Sequence, residues 1–155
     1  MAAKFDYSLD YKNLDLQKNP ELYRVGRGEQ GVLMVEPYRS QIVKFWAFRT
    51  PEIARESSAK IYEMFLEYKK QKDFVGMDMA RKFLQMGITR ARRYANHPSG
   101  RKYKKGTREV IPIGKVDEEK AESARIFSEK YYLAKTDEVY QRLMREHKEK
   151  YEKEN

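Results

Sequence analysis

The sequence predicts a mainly α-helical single domain of about four helices, with α+β as the alternative, and three observations carry that expectation. Two long stretches in the middle of the chain repeat their apolar residues at helical spacing. Both stretches open on residues suited to helix caps, Thr50-Pro51 and Asp73. Finally, 155 residues that are 40% apolar and 13% aromatic can bury a real core, yet only one short run reads as a strand.

The N-terminal part, 1–49, is rich in tyrosine, glycine and turn formers such as Asn19-Pro20, which predicts irregular structure. Its strand candidate is 32–36, VLMVE, closed by Pro37. The run 41–48 fits either a partner strand, giving a short β-hairpin, or a short helix.

The segment 51–95 reads as two amphipathic helices. Thr50-Pro51-Glu52 supplies an N-cap, a proline in the first turn and an acid near the positive end of the helix dipole. From there Ile53, Ile61, Met64, Phe65 and Tyr68 share one face, opposite Glu56, Lys60, Glu63 and Glu67. Asp73 caps a second helix running to about Ala95. Met77, Met79, Phe83, Met86, Ile88 and Tyr94 form its apolar arc, and Asp78, Arg81, Lys82, Gln85, Thr89, Arg92 and Arg93 form its expected solvent face. Asn96-His97-Pro98 ends it, because proline forbids continuation. A basic arm follows over 97–115, then two helices over 117–150, opened at Asp117 and at Thr136-Asp137-Glu138. The end of the chain, 151–155, is expected to be a frayed, solvated tail.

The formal charge of +9 is concentrated rather than spread. Between Asp78 and Glu109 there is no acid, while Arg81, Lys82, Arg90, Arg92, Arg93, Arg101, Lys102, Lys104, Lys105 and Arg108 all lie in that interval. A block of one sign repels itself unless a counter-charge sits against it. Arginine offers bidentate contacts to phosphate, lysine adds mobile charge, and the interleaved Tyr103 can stack on a base. His97, at the end of the helix, could also meet a phosphate, although capping the helix is the plainer role. The expected function is therefore nucleic-acid binding of low sequence specificity, with DNA and RNA undistinguished. About six to ten such contacts would make affinity fall by orders of magnitude as salt rises. The alternative is an interaction or scaffold protein whose basic stretch docks an acidic protein partner.

A second motif, Gly26-Arg27-Gly28-Glu29-Gln30-Gly31, matches G-x-G-x-x-G by letter. Phosphate binding at Gly26, Arg27, Gly28 and Gly31 would need a strand before it and a helix opening at its end, whereas VLMVE follows here. The plainer expectation is a tight turn whose glycines take positive φ.

Other classes find little support. With no cysteine there is no disulfide framework, thiolate zinc site or cysteine nucleophile. The two histidines, His97 and His147, lie in no metal-binding or nucleophile motif, so no catalytic residue, metal or cofactor is expected. A small enzyme would need the fold to bring Gly26 to Gly31 and His97 together. Neither a signal-like apolar stretch nor a membrane-length one is present, so a cytoplasmic location without membrane contact is expected. The oligomeric state has no signature.

The runs NPELYRVGRGEQGVL, VEPY, TPEIA, DFVGMDMARKFLQMG and TRARRYANHPSGRKY resemble the domain of unknown function 4385 family, found in bacteria and their viruses. The resemblance extends from about Phe5 to His147 and carries no activity with it. It implies that GRGEQG and TRARRYANH are family features.

Overall fold

Each long helix begins on a side chain that satisfies the orphan amides of its first turn. The computed structural model describes residues 4–97, 103–111 and 116–152, and among them are five α-helices. They are α1 (Tyr38–Ile42), α2 (Pro51–Lys70), α3 (Phe74–Asn96), α4 (Glu118–Lys135) and α5 (Glu138–Tyr151). Thr50 Oγ1 accepts from Ile53 N at 3.2 Å to open α2, and Asp73 Oδ1 accepts from Gly76 N at 3.1 Å to open α3. Asp117 Oδ1 accepts from the amides of Glu119 and Lys120 at the start of α4, and Asp137 Oδ1 from Tyr140 N at the start of α5. The four predicted helices are thus present near their predicted bounds. Among the described residues no helix is long and apolar enough to cross a membrane.

Helix α3 is the centre of the fold, packed by α1, α2, α4 and α5. Every residue from Phe74 to Leu84 is buried, so its first three turns are enclosed on all sides. Helices α3 and α4 run antiparallel: Asp117 N donates to Ala95 O at 2.8 Å, while further along Gly87 faces Phe127. A methyl group on Gly87 would lie 2.3 Å from Phe127 Cδ1, so the absence of a side chain lets the two helices close over a fully buried ring. Trp46 pins the chain before α2 to the same helix, its indole nitrogen donating to Phe83 O at 3.0 Å.

The N-terminal segment corrects the β expectation. Residues 32–36 are not extended. Val32 N donates to Glu29 O and Met34 N to Gly31 O, both across three residues, in successive turns. These turns bury Val32 and Val35 and expose Leu33, a spacing of three instead of the two of a strand. The run 41–48 starts inside α1 and continues as a 3₁₀ turn, Val43–Phe45, so there is no hairpin at this place.

The C-terminal end also differs from the expected frayed tail. Helix α5 continues to Tyr151, and its last turn is docked: His147 Nε2 meets Tyr23 O at 2.8 Å, and Glu152 Oε2 accepts from Val25 N at 3.3 Å. His147 and Glu152 are both buried. Residues 153–155 of the predicted tail lie outside the described residues.

Gly87→Ala tests the α3–α4 contact. It lowers stability by about 1–3 kcal/mol in urea denaturation, because the overpacking cost exceeds the gain of about 1 kcal/mol in helix propensity.

Candidate functional site

Helix α3 sorts its cations into two groups. Arg81 and Lys82, expected on the solvent face, are buried at 7% and 0% exposure, and this corrects the reading of that face. They surround Asp78, which is also fully buried. Arg81 Nη2 lies 2.6 Å from Asp78 Oδ1 and its Nε 3.1 Å from the same oxygen, while Lys82 Nζ is 3.9 Å from Oδ2. The hydroxyls of Tyr23 and Tyr140 donate to the two carboxylate oxygens, the second at 2.6 Å. Burial acts to raise the Asp78 pKa, but Arg81, Lys82 and the two tyrosines outweigh it and hold the carboxyl below its ordinary value. Burial likewise opposes the charge on Arg81, and Asp78 overcomes it. Lys82 is pushed down to about 8 by burial, against the pull of Asp78.

The GRGEQG loop closes over this cluster. Lys82 Nζ donates to Val25 O at 2.8 Å and to Gln30 O at 2.6 Å, and Arg81 Nη1 donates to Gly28 O at 2.5 Å. Gly26, Gly28 and Gly31 have φ of 69°, 55° and 78°, so the tight-turn expectation holds. Gly31 is further constrained, since a Cβ there would lie 2.1 Å from the Phe5 ring. A phosphate cradle aims amides at its ligand. Here three carbonyls of the loop and its leading residue are aimed inward at cations, which removes the ground for a phosphate loop at Gly26, Gly28 and Gly31.

The second group faces outward. Arg90, Arg92 and Arg93, in the last two turns of α3, are exposed, and among the described residues their side chains make no hydrogen bond or ion pair. Tyr94, expected toward the core, is 38% exposed at the edge of the helix, its ring 5.8 Å from that of Phe48. His97 ends α3, its amide donating to Arg93 O at 2.8 Å. Its ring is buried rather than presented on the basic surface. Thr89 Oγ1 touches the loop at Glu29, but His97 is eight residues beyond it, about 12 Å along the helix axis. The described contacts do not bring His97 and the GRGEQG loop together.

Of the basic arm, Arg101 and Lys102 lie outside the described residues. The part over 103–111 folds back on itself: Tyr103 and Val110 form an antiparallel bridge, Lys104 N donates to Glu109 O at 2.9 Å, and Gly106 has a φ of 74°. Tyr103, Lys104, Lys105 and Arg108 are all exposed. Lys104 is paired with Glu109 at 3.0 Å, whereas the side chains of Lys105 and Arg108 have no partner among the described residues.

The fold also makes a juxtaposition that the sequence did not announce. A cleft of about 390 Å³ lies between the GRGEQG turn and α3, with Arg27 from the motif and Arg90 from the basic helix both on its walls. Only the partnership of Asp78 with Arg81 and Lys82 had a local signal, an acid three and four residues before two bases inside an otherwise apolar run.

The profile of the family described as domain of unknown function (DUF4385) matches residues 6–150 of this chain. No curated protein and no solved structure matches it.

Two measurements separate structural from surface charge. Arg81→Gln costs about 3–5 kcal/mol in urea denaturation, since it leaves a buried carboxylate short of its partner, whereas Arg92→Gln and Arg93→Gln stay within about 0.5 kcal/mol. Burial holds the His147 pKa below its ordinary 6.5. The unfolded chain therefore takes up a proton that the folded chain refuses, and stability falls as pH drops below that value. Between pH 7 and 5 the urea midpoint declines, and His147→Gln removes part of the decline.

Proposed function

We propose, from the premise that the chain belongs to the domain of unknown function 4385 family, that it binds nucleic acid through the phosphate backbone with low sequence specificity. The observation that carries this proposal is the set Arg90, Arg92 and Arg93. These are exposed guanidinium groups gathered within a single turn of a rigid helix, and their side chains meet no counter-charge among the described residues. Arg81 and Lys82, on the same helix, show what the fold does with a cation it uses internally: it surrounds it with a carboxylate and carbonyls. Cations left without that treatment are available to an external polyanion.

Arginine suits the role because its planar fork can hold two phosphate oxygens and keeps its charge at any physiological pH. Lys105 and Arg108 on the folded arm add two exposed cations to those of the helix, and the arm also carries the exposed ring of Tyr103. Backbone contacts position a ligand without reading its bases, so weak sequence preference is expected.

The test is fluorescence-anisotropy titration of labelled DNA and RNA, single-stranded and duplex, across a salt series. Binding weakens steeply with salt, and Arg90→Gln/Arg92→Gln/Arg93→Gln lowers the slope of log K against log salt by about 2–3. Absence of binding to any of these at about 50 mM salt rejects the proposal and favours an acidic protein as the partner.

A further inference from the structure

We infer that the cleft between the GRGEQG turn and α3 receives an unstacked nucleobase, so that the preferred ligand is single-stranded; this rests on the nucleic-acid proposal above. The cleft, of about 390 Å³, is shallow and wide open to solvent, and it combines three kinds of surface. Its apolar side is formed by Tyr7 and Leu33, which are 57% and 47% exposed although both are large and hydrophobic, and by Met86 from α3. Its positive side is formed by Arg27 and Arg90, both exposed and both with guanidinium groups that meet no partner among the described residues. Its negative point is Glu29, held in place by Thr89 Oγ1 at 3.1 Å.

This combination matches the parts of one nucleotide. The faces of a base are apolar and stack on an aromatic ring, here Tyr7, whose own ring is braced edge-on by Phe5 at 4.9 Å between centroids. The phosphates on either side of the base carry the charge that Arg27 and Arg90 lack. Arg90 is also the first arginine of the exposed set on α3, and Arg93, three residues on, is its neighbour on the helix surface, so a strand leaving the cleft continues toward Arg93. A paired base is locked inside its stack and cannot enter such a cleft, whereas single strands present splayed bases. Glu29 accepts hydrogen bonds and cannot donate them while ionised. It therefore favours bases that carry an exocyclic amino group, such as cytosine, over thymine or uracil, whose one donor, N3–H, is flanked by two carbonyls that a carboxylate repels.

The experiment titrates the intact protein and its Tyr7→Ala and Arg27→Gln variants with labelled 15-mers of dC, of dT, and a mixed-sequence duplex. Single strands bind about tenfold or more tightly than the duplex, and dC binds more tightly than dT. Tyr7→Ala weakens single-strand binding by about tenfold without changing the salt slope, because it removes a ring and no charge. Arg27→Gln lowers the slope by about one. Tyr7 is an exposed residue, and an unchanged urea midpoint verifies that its variant is folded. If salt-dependent binding persists but duplex and single strands bind alike, or Tyr7→Ala binds as the parent does, the cleft inference falls and the backbone proposal stands. If no oligonucleotide binds, both fall together.

Discussion

The fold closes around the carboxylate of Asp78. A buried ionised group without partners is so unfavourable that the native state depends on compensation, and the compensation here comes from the next turn of the same helix and from distant parts of the chain together. Tyr23, 55 residues before Asp78, reaches it from the N-terminal segment, and Tyr140, 62 residues after it, from α5. Arg81 and Lys82 complete the set from the next turn of α3. Separating either outer element from α3 would strand a charge as well as expose apolar surface. The hydroxyl of Tyr140 links two members of the set, since it accepts from Arg81 Nε at 3.0 Å while donating to Asp78.

This requirement also explains the glycine motif. Two cations crowd the fully buried Asp78, Glu152 adds a weaker pull on Lys82, and backbone dipoles supply the remainder: Val25 O and Gln30 O on Lys82, Gly28 O on Arg81. The Phe5 and Tyr23 rings lie 5.3 and 5.0 Å from Lys82 Nζ and add their negative faces. Turning three carbonyls toward one point demands backbone of positive φ, which glycine adopts without strain. The motif is thus an internal cation cradle. Its outer side carries Arg27 and, through Glu29 and Thr89, rests against the outward-facing part of α3.

One helix therefore serves two electrostatic purposes. Its first half is enclosed by the N-terminal segment, α2 and α5, and each charge there is matched. Its last two turns emerge from that enclosure, and the arginines they carry are matched by nothing within the described protein. Because the same rigid element runs through both regions, the geometry of the exposed arginines is set by the packing of the buried half.

By itself the sequence determined the features whose causes are local. A cap bonds an amide two or three residues away, so Thr50, Asp73, Asp117 and Asp137 could be recognised as helix starts from their immediate neighbours. The apolar faces and the basic run between Asp78 and Glu109 were likewise visible in one dimension. Tertiary structure decided the rest. A helical wheel assigns Arg81 and Lys82 to water because it contains no Tyr23, Val25 or Tyr140, and those contacts, more than 50 residues away in sequence, reverse the assignment. The run VLMVE satisfies strand and turn patterns alike, and burial of Val32 and Val35 selects the turn. Glu152 looks like part of a solvated tail until the N-terminal backbone at Val25 supplies its partner, one turn beyond the His147 contact with Tyr23 O. The difference is physical: a hydrogen bond to a near neighbour is encoded in spacing, whereas the compensation of a buried charge depends on which distant groups the fold delivers to it.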